Sequence, residues 1–175
     1  MSNRTKLILV GGLFSGLIGY GTVIAVVSLL NLLSGRSPFY TAALFGSALF
    51  YGLEDPATLQ VAPGPVLAYN MVHVLAFLAI GTVVSWLVSL AERYPAAQYF
   101  ILVALIFVAF HIFGALLLFA EPLLGGGAWV VVSVAGVAAA VTMGGYLLRT
   151  HPLLRKELRE IPMGDVPPEQ SAVDR

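Results

Sequence analysis

The stretch that decides the fold is VLAYNMVHVLAFLAIGTVVSWLVSLA-ERYP-AAQYFILVALIFVAFHIFGALLLFA, residues 66–120. Residues 66–91 and 96–120 carry no charged side chain. A membrane-spanning helix needs about 20 apolar residues, because the hydrocarbon layer is about 30 Å thick and a helix rises about 1.5 Å per residue. Each run is long enough. With no water in the hydrocarbon, backbone polar groups must pair within the segment, so both runs are expected to be helices. Glu92-Arg93-Tyr94-Pro95 forms a tight turn between them, and Pro95 suits a first helical position, where its missing N–H costs nothing. The two runs are therefore expected to form an antiparallel hairpin.

Working outward, two further charge-free stretches of spanning length occur at about 7–34 and 128–148. Composition agrees. Of the 175 residues, 59% are hydrophobic and 10% charged, against about 25% charged in an ordinary soluble domain. Mean hydropathy is +0.92. This excludes a disordered chain, a collagen-like chain and a nucleic-acid binder, and it argues against an ordinary cytosolic enzyme. Formal net charge is zero, so no global field recruits a partner. Cysteine is absent, which excludes disulfides, thiolate metal sites, iron–sulfur clusters and cysteine nucleophiles. The first stretch is longer than the apolar core of a signal peptide and reads as an uncleaved helix. The expected class is all-α: a four-helix transmembrane bundle embedded in a lipid bilayer.

The first loop, from about Gly35 to Pro65, is not simply polar. Residues 38–53 lack charge and hold Phe39, Tyr40, Phe45, Phe50 and Tyr51. That is short for a span, so it reads as an interfacial helix with its aromatics at headgroup level. Ala62-Pro63-Gly64-Pro65 is expected to be an extended turn. Four spans put all but one of the nine Lys and Arg residues on one side, leaving Arg36 alone on the other. Both termini are then expected to be cytoplasmic, in a bacterial inner membrane. The mixed-charge segment 151–161 reads as a cytoplasmic surface helix and 162–175 as a disordered tail. His151, before Pro152, reads as solvated.

Small residues mark packing faces. Gly12, Gly16 and Gly19 on the first helix, and Gly136, Ala140 and Gly144 on the fourth, recur at close helical spacing. They let backbones approach where lipid supplies no hydrophobic drive. They either hold the bundle together or dock a foreign helix.

Ionisable residues inside spans are functional candidates by default. Here the second span offers Tyr69, Asn70 and His73, and the third offers His111 beside Gly114. Tyr69 and His73 share a helix face at i, i+4. Counted from the turn, the two histidines differ in depth by about 6 Å, at a rise of about 1.5 Å per residue. Three readings stay open. The imidazoles are satisfied core residues, or axial ligands of a b-type haem, or holders of a quinone headgroup or metal. Without a close carboxylate, a metal site is incomplete. No Asp, Glu, Lys or Arg lies mid-span, which argues against a proton- or cation-coupled transporter. Gly125-Gly126-Gly127 lacks a phosphate loop's Lys and reads as a turn. No serine has a triad partner nearby.

These observations lead to one expectation and two alternatives. The first is a non-catalytic subunit or accessory protein of a larger inner-membrane complex, respiratory or other electron-transfer complexes included, with other membrane subunits as partners and no nucleic acid. The alternatives are a small redox protein binding haem b or quinone between His73 and His111, and a small transporter or channel.

Overall fold

The computed structural model describes residues 3–94 and 98–151. Among the described residues five α-helices form: α1 Asn3–Leu33, α2 Tyr40–Phe50, α3 Pro63–Arg93, α4 Gln98–Leu124 and α5 Ala128–Thr150. No strand forms among the described residues. α1, α3, α4 and α5 are long and apolar enough to cross a membrane. The segments 152–161 and 162–175, expected as a surface helix and a tail, lie outside the described residues.

The turns follow from residue chemistry. α1 ends in a Schellman turn: Gly35 adopts φ +70°, Arg36 N–H donates to the Asn31 carbonyl at 2.9 Å, and Gly35 N–H donates to the Leu32 carbonyl at 3.0 Å. Gly52 (φ +69°) follows α2. A 3₁₀ turn at Gly125–Gly127 joins α4 to α5. Residues 63–65, expected as an extended turn, instead open α3. Prolines fit a first helical turn because the N–H groups they lack would have no intrahelical acceptor there. α4 runs four residues beyond the expected end at 120, through Pro122 to Leu124.

The packing centre is the α1–α3 crossing. Gly12 lies on the Thr82 backbone, Gly16 on the backbone of Phe77 and Leu78, and Gly81 on the backbone of Gly12 and Gly16. Gly19 faces Met143 of α5 and Phe77 of α3, so one stripe of α1 serves both neighbours. The stripe expected on α5 is not the one that packs. Ala135, Ala139, Met143 and Leu147 are buried, while Gly136 and Gly144 have open space where a side chain would stand, and Ala140 is exposed. Both rows have four-residue spacing. In an apolar segment, spacing alone cannot say which faces inward. A hydrogen bond between the Thr22 and Thr142 hydroxyls, at 3.0 Å, also joins α1 to α5.

α2 occupies 40–50 rather than 38–53, and it is wedged into the end of the bundle. Ala43, Leu44 and Phe45 are buried, and Gly46 lets the helix meet the Pro65 carbonyl. Phe39, Phe50 and Tyr51 stay exposed. Asn31 ties α1 to α2: its side-chain N–H donates to the Pro38 carbonyl at 3.2 Å and its Oδ1 accepts from the Thr41 hydroxyl at 2.9 Å. At the opposite end, His151 is not solvated. It is 2% exposed, and its Nδ1 lies 3.0 Å from Glu92 Oε2, linking the ends of α3 and α5.

The expected α3–α4 hairpin forms in sequence but hardly in contact. α4 packs on α5 and on the turn between them, and touches α3 only sparingly. From Phe100 to Phe110, Ile101 alone is buried.

Candidate functional site

The site begins with helical spacing. Tyr69, His73 and Phe77 recur every four residues on α3 and line one face, with ring centroids 5.0 Å and 5.1 Å apart and the rings tilted by 31° and 46°. Phe45, on the buried face of α2, lies 5.7 Å from Tyr69 at an interplanar angle of 20°. Phe119 of α4 lies 5.6 Å from Phe45 at 22°. A ladder of five rings, Phe119–Phe45–Tyr69–His73–Phe77, therefore crosses three helices. Tyr20 of α1 approaches from the side, its ring 6.1 Å from His73. Its hydroxyl donates to Asn70 Oδ1 at 3.1 Å, while the Asn70 amide donates back to the Val66 carbonyl at 2.7 Å. Asn70 is thus a satisfied link between α1 and α3.

Two cavities flank the ladder. One, of about 340 Å³, lies among α1, α2 and α3 and is lined by Ser28, Phe39 and Asn70 among others. The other, of about 300 Å³, lies where all five helices approach, with Phe45, Phe119, Ala135 and Gly136 in its wall. Val23, Val27, Thr41, Tyr69 and His73 line both. The imidazole therefore stands in the partition. Its Nε2 is inaccessible to solvent and has no hydrogen-bond partner among the described residues. In an apolar interior such an orphan costs about 1–3 kcal/mol, so it calls for an explanation.

The structure does not bring His111 to this place. His111 lies on an exposed face of α4, lines neither cavity, and has Phe107 and Phe110 as ring neighbours. Its Nδ1 lies 2.8 Å from the Phe107 carbonyl of its own helix. Gly114, expected to leave room for a flat ring, has open space around it. Of the sequence candidates, then, Tyr69, Asn70 and His73 come together, and His111 and Gly114 stand apart. Among the described residues no group of three or more His, Cys, Asp or Glu side chains is placed to hold a metal ion.

Sequence reasoning missed Tyr20, Phe45 as a ring partner of Tyr69, and the Asn31–Thr41 clasp. Asn31 carries a usable signal, since an amide in the last turn of an apolar helix needs partners. Phe45 and Phe119 carry none, because their meeting depends on where α2 inserts. No protein-family model, curated protein or solved structure matches the chain.

Proposed function

We propose that the chain is a non-catalytic integral subunit or accessory protein of a larger membrane assembly. The observation that carries this reading is the state of α4 and its neighbour. Along its first half α4 buries little but Ile101, while Phe100, Val103, Ile106, Phe107 and Phe110 all look outward. Helices in lipid associate through close packing and interhelical hydrogen bonds, not through burial from water. A helix with so little packing is held by little. The small-residue row Ala140–Gly144 on α5 is open, and it suits the close approach of a partner helix. The Lys and Arg distribution supports a cytoplasmic-membrane setting, bacterial in our reading, with both termini on the cytoplasmic side.

The test is purification of the tagged protein from its native membranes in mild detergent, with stoichiometry read by native mass spectrometry. A second membrane subunit at fixed ratio is expected. The double substitution Ala140→Leu with Gly144→Leu should release that subunit without unfolding the chain, because Gly144 has no neighbour within 4 Å of a new Cβ. A chain that runs alone at every detergent concentration tried overturns the reading.

A further inference from the structure

We infer that His111 is the docking point for a partner transmembrane helix, and that this helix brings an uncharged hydrogen-bond donor, the side chain of Asn, Gln, Trp or Tyr, to the imidazole Nε2. The inference rests on the assembly reading above and states what chemistry the partner must carry. Apolar side chains that face lipid from α4 need no explanation, but His111 does. It is the central residue of the 27-residue helix Gln98–Leu124, and it faces outward. In a bilayer centred on that helix each interface is about 15 Å away, half of the hydrocarbon thickness. An imidazole is too short to snorkel that far. Water is absent there, so each polar atom pairs with protein or stays orphaned. Nδ1 is paired, 2.8 Å from the Phe107 carbonyl one turn back. Nε2 has no partner among the described residues.

The paired nitrogen decides what the free one needs. A carbonyl oxygen only accepts, so Nδ1 carries the proton. A charge at mid-bilayer is costly, so the ring is neutral and Nε2 keeps a bare lone pair. That lone pair is the negative end of the ring dipole, and it takes a positively polarised N–H or O–H. The same costs narrow the donor. Lys and Arg would bring a charge into hydrocarbon, and ionised Asp and Glu only accept. Ser and Thr hydroxyls on helices turn back to a carbonyl of the preceding turn, as Thr82 does at 2.7 Å and Thr142 at 2.9 Å, and this uses their one proton. Amide, indole and phenol donors remain. A second copy meeting His111 with its own His111 fails, because both Nε2 atoms are acceptors. A lone water fails too, because it needs two to four polar partners. The ring is held ready, with the Phe107 centroid 4.1 Å away and Phe110 edge-on at 5.9 Å. Gly114, almost one turn on, has open space where a side chain would stand, which admits a close helix.

The experiment uses the full chain in its native membranes. Phe110, the exposed neighbour of His111, is replaced by the photo-reactive p-benzoylphenylalanine, and cross-linked peptides are sequenced by mass spectrometry. Expected is a transmembrane peptide of a different subunit, with Asn, Gln, Trp or Tyr within one turn of the cross-linked residue. His111→Phe should weaken retention of that subunit on detergent dilution about three- to tenfold, the range for one interhelical hydrogen bond in a membrane. His111→Gln, which keeps an acceptor oxygen, should lose less. The isolated His111→Phe chain should unfold at the parent's SDS fraction, because the side chain faces out. Nitrogen-15 NMR of histidine-labelled protein, assigned by the signal lost in His111→Phe, should show Nδ1 protonated and Nε2 bare. The opposite tautomer overturns the inference. So do cross-links confined to a second copy of this chain, a partner segment without such a donor, or a visible absorption band lost with His111→Phe, which would put a metal centre on Nε2. A subunit at fixed ratio that ignores His111→Phe removes this inference and leaves the assembly reading standing. A chain that runs alone removes both.

Discussion

Replacing Gly81 by Ala tests the packing centre directly. A methyl group built on Gly81 falls 2.5 Å from the Gly16 nitrogen and 2.8 Å from the Gly16 Cα, and it also strikes the Gly12 carbonyl oxygen. All three obstacles are backbone, so no rotamer change relieves them. Ordinary carbon contacts lie near 3.5–4.0 Å, so α1 and α3 must part by roughly 1 Å. A radial gap of that size forfeits a quarter to a half of each dispersion contact along the crossing. Forced overpacking of this kind costs about 1–3 kcal/mol. Because the glycines of both helices share this contact, about 2 kcal/mol is expected, a shift of roughly thirtyfold in the folding equilibrium. Gly144→Ala is the matched control, with nothing within 4 Å of its new methyl. It should be neutral, or stabilising by up to about 1 kcal/mol from helix propensity. Both are read by reversible unfolding in mixed micelles on raising the SDS fraction, followed by circular dichroism. A Gly81→Ala protein as stable as Gly144→Ala would refute the claim that α1 and α3 meet through their backbones.

Two further perturbations probe the ends of the bundle. Asn31→Ala removes both bonds of the α1–α2 clasp and strands the buried Thr41 hydroxyl, so it should cost about 1–3 kcal/mol and raise hydrogen exchange across α2 more than across α5. Gly35→Ala forces φ +70° on a residue with a side chain, and should lower stability by about 1–2 kcal/mol in the same SDS titration although nothing crowds the position.

Helix number and extent were legible because both rest on one robust quantity, the length of charge-free sequence. The four long helices end within four residues of the four charge-free stretches. Which faces meet was only half legible. The glycines of α1 declared themselves, because in a helix only glycine admits another backbone so closely. On α5 two rows with the same spacing competed, and Ala135–Leu147 packs inward in place of Gly136–Gly144. In water an apolar stripe would mark the inner face, but here both sides are apolar. The same lack of polarity hid the outward turn of His111. Its helix was expected beside α3 because the linking turn is short, yet a short turn fixes only where two helices start. His151 was misread for a different reason: its burial depends on Glu92, 59 residues earlier, which no local pattern reveals.

The fold also explains why a cavity forms where it does. At Gly12, Gly16 and Gly81, α1 and α3 meet backbone to backbone. One turn further along, the Tyr20 side chain stands between the same helices and reaches Asn70 through its hydroxyl. Further still, Val23 and Val27 face Tyr69 and His73 across open space. Helices held in contact at one point by glycine must diverge around larger side chains elsewhere. α2 enters that divergence as a wedge, and Asn31 and Gly46 fix its depth. An eleven-residue helix cannot fill the gap evenly, so volume remains on both sides of the ring ladder. Tight packing and empty space are thus two ends of one geometry. It follows that a variant loosening the glycine crossing, such as Gly81→Ala, should raise hydrogen exchange across α2 as well as lower stability. Gly144→Ala should alter neither in that direction.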